Sequence, residues 1–159
     1  MSRRDQITMT EDGALAFLEE ERTVVCATHG PRGWPHLMPL WYVVRDGRMW
    51  AWTFARSQKA INLERDPRAT LQVEAGETYD QLRGVMLECD VVLHRDLDVL
   101  VPLGTEILRR YTPGVAQDGP LPDEATAMIE AQASKRVAFE FVERRRSTWD
   151  HRKLAAGVY

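Results

Sequence analysis

The sequence has 159 residues, a net charge of −3, 44% apolar residues and 28% charged ones. That length suits one domain, residues 1–159, with a core that needs no staple, and the charge balance speaks against a nucleic-acid partner. No apolar run approaches the roughly 20 residues that span a bilayer. The opening MSRRDQITMTEDGALAF has acids where a signal peptide is apolar, so a cytoplasmic protein without membrane contact is expected. Cys26 and Cys89 sit in apolar, strand-like runs and read as reduced core thiols.

The spacing predicts a first helix from about Thr10 to Arg22, with Thr10 as its cap and Leu15 and Leu18 on one face. TVVCAT follows as a strand, and PHLMPLWYVV as a second strand of unusual length. Asp46-Gly47 is a hairpin signal before a third strand, MWAWT. Pro39 lies inside the second strand and cannot donate a ladder hydrogen bond, so that position must be an edge or a bulge. A short helix is predicted from Ser57 to about Glu64, stopped at Asp66-Pro67. The strands ATLQVEA and GVMLECDVVLH come next, then a helix from about Asp96 to Tyr111 in which Pro102 fits only in the first turn. TPGVAQDGPLPD is a loop, a short helix near Asp123–Ala133 follows, and RVAFEFVE is the last strand before the tail RRRSTWDHRKLAAGVY. Six strands joined mostly by tight turns predict a mainly β fold with flanking helices, an antiparallel sheet closed into a small barrel.

The chemistry concentrates in WTFARSQKAINLERDP, Trp52 to Pro67. Arg56, Ser57 and Lys59 surround a helix start directly after a strand. Free N–H groups, the positive end of the helix dipole and two cations suit a phosphate. Lys59 is one of three lysines in a chain whose other fixed cations are all arginine. Alternation puts Trp50 and Trp52 on one strand face, where at least one is expected to be structural; Trp41 is the better ring-stacking candidate. His29, His36, Cys26 and Cys89 lack metal-ligand spacing, so no metal is expected. Ser147, Asp150 and His151 include the residue types of a triad, but local spacing near the tail says nothing of its geometry.

These segments together resemble the pyridoxamine 5′-phosphate oxidase-like split-barrel superfamily, which includes FMN enzymes and deazaflavin (F420) enzymes. The resemblance runs through the TEDGALAFLEEER helix, the G-x-P-x-x-x-P-L-W series before the D-G hairpin, S-x-K-A-x-N-L-x-x-D-P, GVMLECDVVL and KRVAFEFVERRRSTWDHRKL. It implies a six-stranded antiparallel split β-barrel (the FMN-binding split barrel), homodimeric, with the cofactor at the subunit interface. Ser57 and Lys59 match positions that bind the cofactor phosphate, with Arg56 and Gln58 as helpers. Trp52 and Thr53 match the strand end laid along the ribityl chain and ring. His36, Leu37, Met38, Pro39, Leu40 and Trp41 match the segment beneath the ring, and Trp149 could reach the partner's site.

This sequence departs from the family where Trp41 replaces a basic residue that holds cofactor and substrate phosphate, which argues against vitamin B6 oxidation. The first reading is an oxidoreductase that transfers a hydride between reduced F420 and a small, flat, unsaturated molecule. The alternatives are an FMN-dependent oxidase or reductase of the same fold, or a flavin- or deazaflavin-binding protein without turnover. No catalytic residue stands out; water, Tyr42 and His36 are the candidate proton donors, and the sequence does not choose among them. Arg144, Arg145 and Arg146 form either a solvated face or a contact for the oligoglutamate tail of F420, and Tyr79 and Arg83 could frame the site.

Overall fold

The computed structural model describes residues 2–154. In chain order the elements are α1 (Arg3–Ile7), α2 (Glu11–Glu20), β1 (Val24–His29), β2 (Pro35–Leu40), β3 (Val43–Arg45) and β4 (Arg48–Phe54). Then come α3 (Gln58–Arg65), β5 (Arg68–Ala75), β6 (Arg83–His94), α4 (Leu97–Tyr111), α5 (Asp123–Ala133) and β7 (Arg136–Asp150). The strands form one antiparallel sheet in the order β2-β1-β5-β6-β7-β4-β3. Its two edges, β2 and β3, are consecutive in the chain and separated only by Trp41 and Tyr42. Three Cα–Cα steps reach at most about 11 Å. The sheet must therefore curl until its edges meet at this corner, which makes it an open, curled half-barrel flanked by helices.

The expected fold class is present, with one strand more than the six predicted. The long second run is broken at Trp41–Tyr42, because the Tyr42 N–H goes not to a neighbouring strand but to the Tyr111 hydroxyl, at 2.9 Å. The same hydroxyl lies 2.7 Å from the Tyr42 carbonyl oxygen, so one α4 side chain brackets the peptide where the chain leaves one sheet edge for the other. The Asp46-Gly47 hairpin forms as predicted, with φ of 49° and 74°, the positive values of a type I′ turn.

Two further expectations are corrected. The last strand continues past Glu143 to Asp150, pairing with β6 throughout around a bulge at Glu88/Cys89. The tail through Asp150 is thus ladder, and residues 155–159 lie outside the described ones. Pro102 is not in the first turn of α4 but is its sixth residue. The carbonyl deprived of a partner there is that of Asp98, an exposed residue that water can satisfy.

Inside the curl, Val24, Cys26, Leu71, Val85, Cys89, Phe139 and Phe141 pack against Phe17 and Leu18 of α2. Cys26 and Cys89 are free thiols, and burial pushes each up to about 12, so both stay protonated. A second cluster joins Leu100, Leu103 and Ile107 of α4 to Ala138 and to Trp50 and Trp52 on the outer face of β4. No helix among the described residues is long and apolar enough to cross a membrane.

Candidate functional site

β4 supplies both faces of the site. Met49, Ala51 and Thr53 point into the half-barrel and are buried, while Trp50, Trp52 and Phe54 point outward. Beyond β4 the chain turns at Arg56 and enters α3, capped by Ser57, whose Oγ accepts from the Ala60 N–H at 3.4 Å. Lys59 follows, only 8% exposed. Its ammonium donates to Thr53 Oγ1 (3.2 Å), and Thr53 in turn donates to Ser57 Oγ (3.4 Å).

Every bond in this chain runs toward Ser57, so the Ser57 hydroxyl proton and the remaining Lys59 N–H bonds are left over. No carboxylate pairs with Lys59 among the described residues, and burial holds its pKa below the usual lysine value. The first turn of α3 also lacks an acid, whereas the first turns of α2, α4 and α5 carry Glu11 and Asp12, Asp98, and Asp123 and Glu124. A surplus of donors, an unpaired buried cation and an uncompensated helix start together form an anion cradle.

Next to it opens a cleft of about 750 Å³, within the range of small-molecule sites. Pro39, Leu40 and Trp41 from the end of β2 form one wall, and Trp52, Thr53 and Phe54 from the end of β4 another. Gly104, Ile107 and Leu108 of α4, Met128, Ile129 and Gln132 of α5, and Thr23, Thr112 and Arg136 complete the lining. Trp41, 57% exposed, stacks on Tyr111 with ring centroids 4.5 Å apart and planes within 8°. Trp52 lies so close to Gly104 that a Cβ there would be 2.5 Å from the indole. The α4 glycine is thus what lets the helix approach β4.

The structure brings Pro39, Leu40, Trp41, Trp52 and Thr53 to this cleft and joins Ser57 and Lys59 to it through Thr53. The other predicted residues are placed less uniformly. Leu37 and Met38 are exposed on the edge strand β2. His36, opposite Thr28 in the β1 register, is half-buried, and its Nδ1 is buried without a hydrogen bond. Gln58 donates to Asn62 Oδ1 (2.8 Å), a contact internal to α3, and Arg56 is exposed.

Several other candidates are absorbed structurally. Tyr42 is fully buried and donates to the Leu18 carbonyl at 2.6 Å. Burial raises its pKa further, which removes it as a proton donor. Arg83 forks onto Glu20 (2.9 and 3.1 Å), the Tyr79 ring meets that of His151 at a tilt of 51°, and Asp150 holds Arg152. Trp149 covers Gly84. Arg144, Arg145 and Arg146 face Asp90, Glu88 and Glu143 at 2.6, 3.7 and 2.6 Å. The described residues contain no cluster of three or more potential metal ligands among His, Cys, Asp and Glu.

Two residues at the cleft, Tyr111 and Arg136, carry no functional signal in the sequence. The first looked like a helix end, and the second like an ordinary charge at a strand start.

Residues 10–144 match the family model described as pyridoxamine 5′-phosphate oxidase. No curated protein matches significantly. Among solved structures, conserved hypothetical protein Rv2991 from Mycobacterium tuberculosis is 40% identical, with a TM-score of 0.85 over 99% of this chain and 98% of that one. A FAD-binding protein from Mesorhizobium loti is 17% identical (TM-score 0.62; 89% and 94% of the two chains). An F420 reductase is 20% identical (TM-score 0.60; 85% and 96%). The last two likenesses speak for the fold alone.

Proposed function

The chain belongs to the pyridoxamine 5′-phosphate oxidase family, and from that premise we propose that it is an oxidoreductase using a phosphate-bearing deazaflavin, F420, to reduce a small flat unsaturated molecule. The observation that carries the reading is the Lys59 ammonium, buried without a carboxylate beside the donor-rich start of α3. The residues present fit such a cofactor. Lys59 and Ser57 would hold its phosphate, with Arg56 at the open side. Thr53 and Trp52 would follow the ribityl chain, while Pro39, Leu40 and Trp41 would support the ring. His36 Nδ1, buried without a hydrogen bond, would receive a partner.

Bound there, the cofactor supplies the hydride chemistry, and the chain binds, orients and excludes water. Trp41 is the immobilised part of that surface, because Tyr111 stacks on it and brackets the next peptide. We also propose a homodimer, since Leu37 and Met38 leave an apolar edge strand uncovered beside the cleft. FMN fits the same cradle, as the phosphate contacts do not distinguish the two cofactors.

Titrating the protein separately with F420 and FMN, following cofactor fluorescence, decides between them. Tighter, stoichiometric F420 binding is expected; stoichiometric FMN binding in preference to F420 would make it an FMN enzyme. Absence of binding by either would remove the function.

A further inference from the structure

Arg136, the first residue of β7, lines the same cleft and belongs to none of the contacts assigned above. It is opposite Phe54 in the β4 ladder. Its guanidinium carbon sits 4.7 Å from the centroid of Trp52 and 4.5 Å from that of Phe54. Gln132 accepts from Nη2 at 3.1 Å, while Nε is buried without a hydrogen bond. Burial holds its pKa below the usual arginine value. Among the described residues Arg136 makes no ion pair, and no other charged residue lines the cleft.

The fold thus spends one partly desolvated cation on a wall of aromatic and aliphatic surface and gives it no counter-charge. Water answers such a group poorly and an anion answers it well. The aromatic rings hold the guanidinium plane in place, and Gln132 fixes its outer edge. A forked donor held in one orientation suits a carboxylate.

We propose that Arg136 recognises an anionic group on the substrate, so that the cleft takes flat conjugated carboxylates in preference to neutral molecules of the same shape. This inference rests on reading the cleft as the redox site. The apolar walls receive the conjugated skeleton and Arg136 receives the carboxylate. An anion could also come from the cofactor, and the experiment separates the two sources.

The test is calorimetric titration of the intact protein with 1-naphthoate and with 1-naphthamide, which share a ring system and differ in charge. The parent should bind the acid at least about tenfold more tightly than the amide, as expected for a charged hydrogen bond. Arg136→Gln should abolish that preference by weakening the acid about tenfold more than the amide, and Arg136→Lys should restore part of it. Saturating F420 or FMN should leave the acid's affinity in place.

Equal binding of acid and amide by the parent would overturn the proposal, whatever the variants do. So would a preference that survives in Arg136→Gln. Displacement of the acid by cofactor would give Arg136 to the cofactor and overturn the substrate assignment. If acid and amide bound equally while cofactor bound normally, only this inference would fail. If no cofactor bound but the acid preference held, the redox reading would fail and the anion site would stand.

Discussion

Along the β6–β7 ladder basic and acidic side chains answer one another: Arg144 faces Asp90, Arg145 faces Glu88, and Arg146 forks onto Glu143. At the cleft the pattern reverses. Lys59 has only a threonine hydroxyl and Arg136 only a glutamine carbonyl, although both are far less exposed than Arg144 and Arg145. An unpaired charge is most costly where water is scarce, so the pairing is withheld where it would stabilise the fold most. The same chain supplies acids readily elsewhere. On the proposed reading, Arg136 in the cleft and Lys59 beside it stay unpaired because they receive anions that the described residues do not supply.

The sharpest way to break this comparison is to remove the buried cation. Lys59→Met should weaken binding of F420 or FMN by roughly 1.5–3 kcal/mol, about ten- to hundredfold, while thermal unfolding without cofactor shows no loss of stability. The pH dependence carries the sign. The folded-state pKa of Lys59 lies below its unfolded value of 10.5, so above the lowered value the unfolded chain binds more protons and stability rises with pH. Lys59's penalty is therefore full below the folded value and fades as pH climbs toward 10.5. Denaturant midpoints across that window should rise less in Lys59→Met than in the parent.

The second effect concerns how tightly the cleft is built. Gly104→Ala places a Cβ 2.5 Å from the Trp52 ring and 3.0 Å from Ile129. The overpacking should cost about 1–3 kcal/mol, partly offset by alanine's better helix propensity, with a change in tryptophan fluorescence as the indole moves. Unaltered fluorescence and stability would show that α4 and β4 are not in register as described.

Ser57→Ala removes the α3 cap and a phosphate donor together. It should cost about 1 kcal/mol of stability and weaken cofactor binding as well, which paired denaturation and titration experiments would separate. The smallest change is expected at the paired surface. Arg144→Ala should cost at most about 1 kcal/mol and leave affinity for both cofactors as in the parent. A large loss of F420 affinity would instead show that the basic run holds the cofactor tail.

The contrast between paired and unpaired charge was only half legible in the sequence. The helix start at Ser57 and the unusual lysine at 59 were visible, because cap, cation and strand end are neighbours in the chain. The curl was visible in the strand pattern and the Asp46-Gly47 turn. The break at Trp41–Tyr42 was not, because what stops the strand is the hydroxyl of Tyr111, 69 residues away. Arg136 was missed for the same reason. Its aromatic neighbours lie on β4 and are brought to it only by the β4–β7 register. The basic run at 144–146 leaves a solvated face and a tail contact both open in the sequence, since the acids that face Arg144 and Arg145 sit on another strand.

Whether Lys59 holds a phosphate is decided by comparing each cofactor with its own phosphate-free form, F420 with its deazaflavin-ribityl fragment and FMN with riboflavin, in the parent and in Lys59→Met. The parent should bind the phosphate-bearing form of at least one pair more tightly, by about tenfold or more. In Lys59→Met that advantage should collapse while the phosphate-free form binds as before. If Lys59→Met bound F420 and FMN as tightly as the parent, the unpaired lysine would not be the phosphate's partner, and the start of α3 would not be the cofactor's cradle.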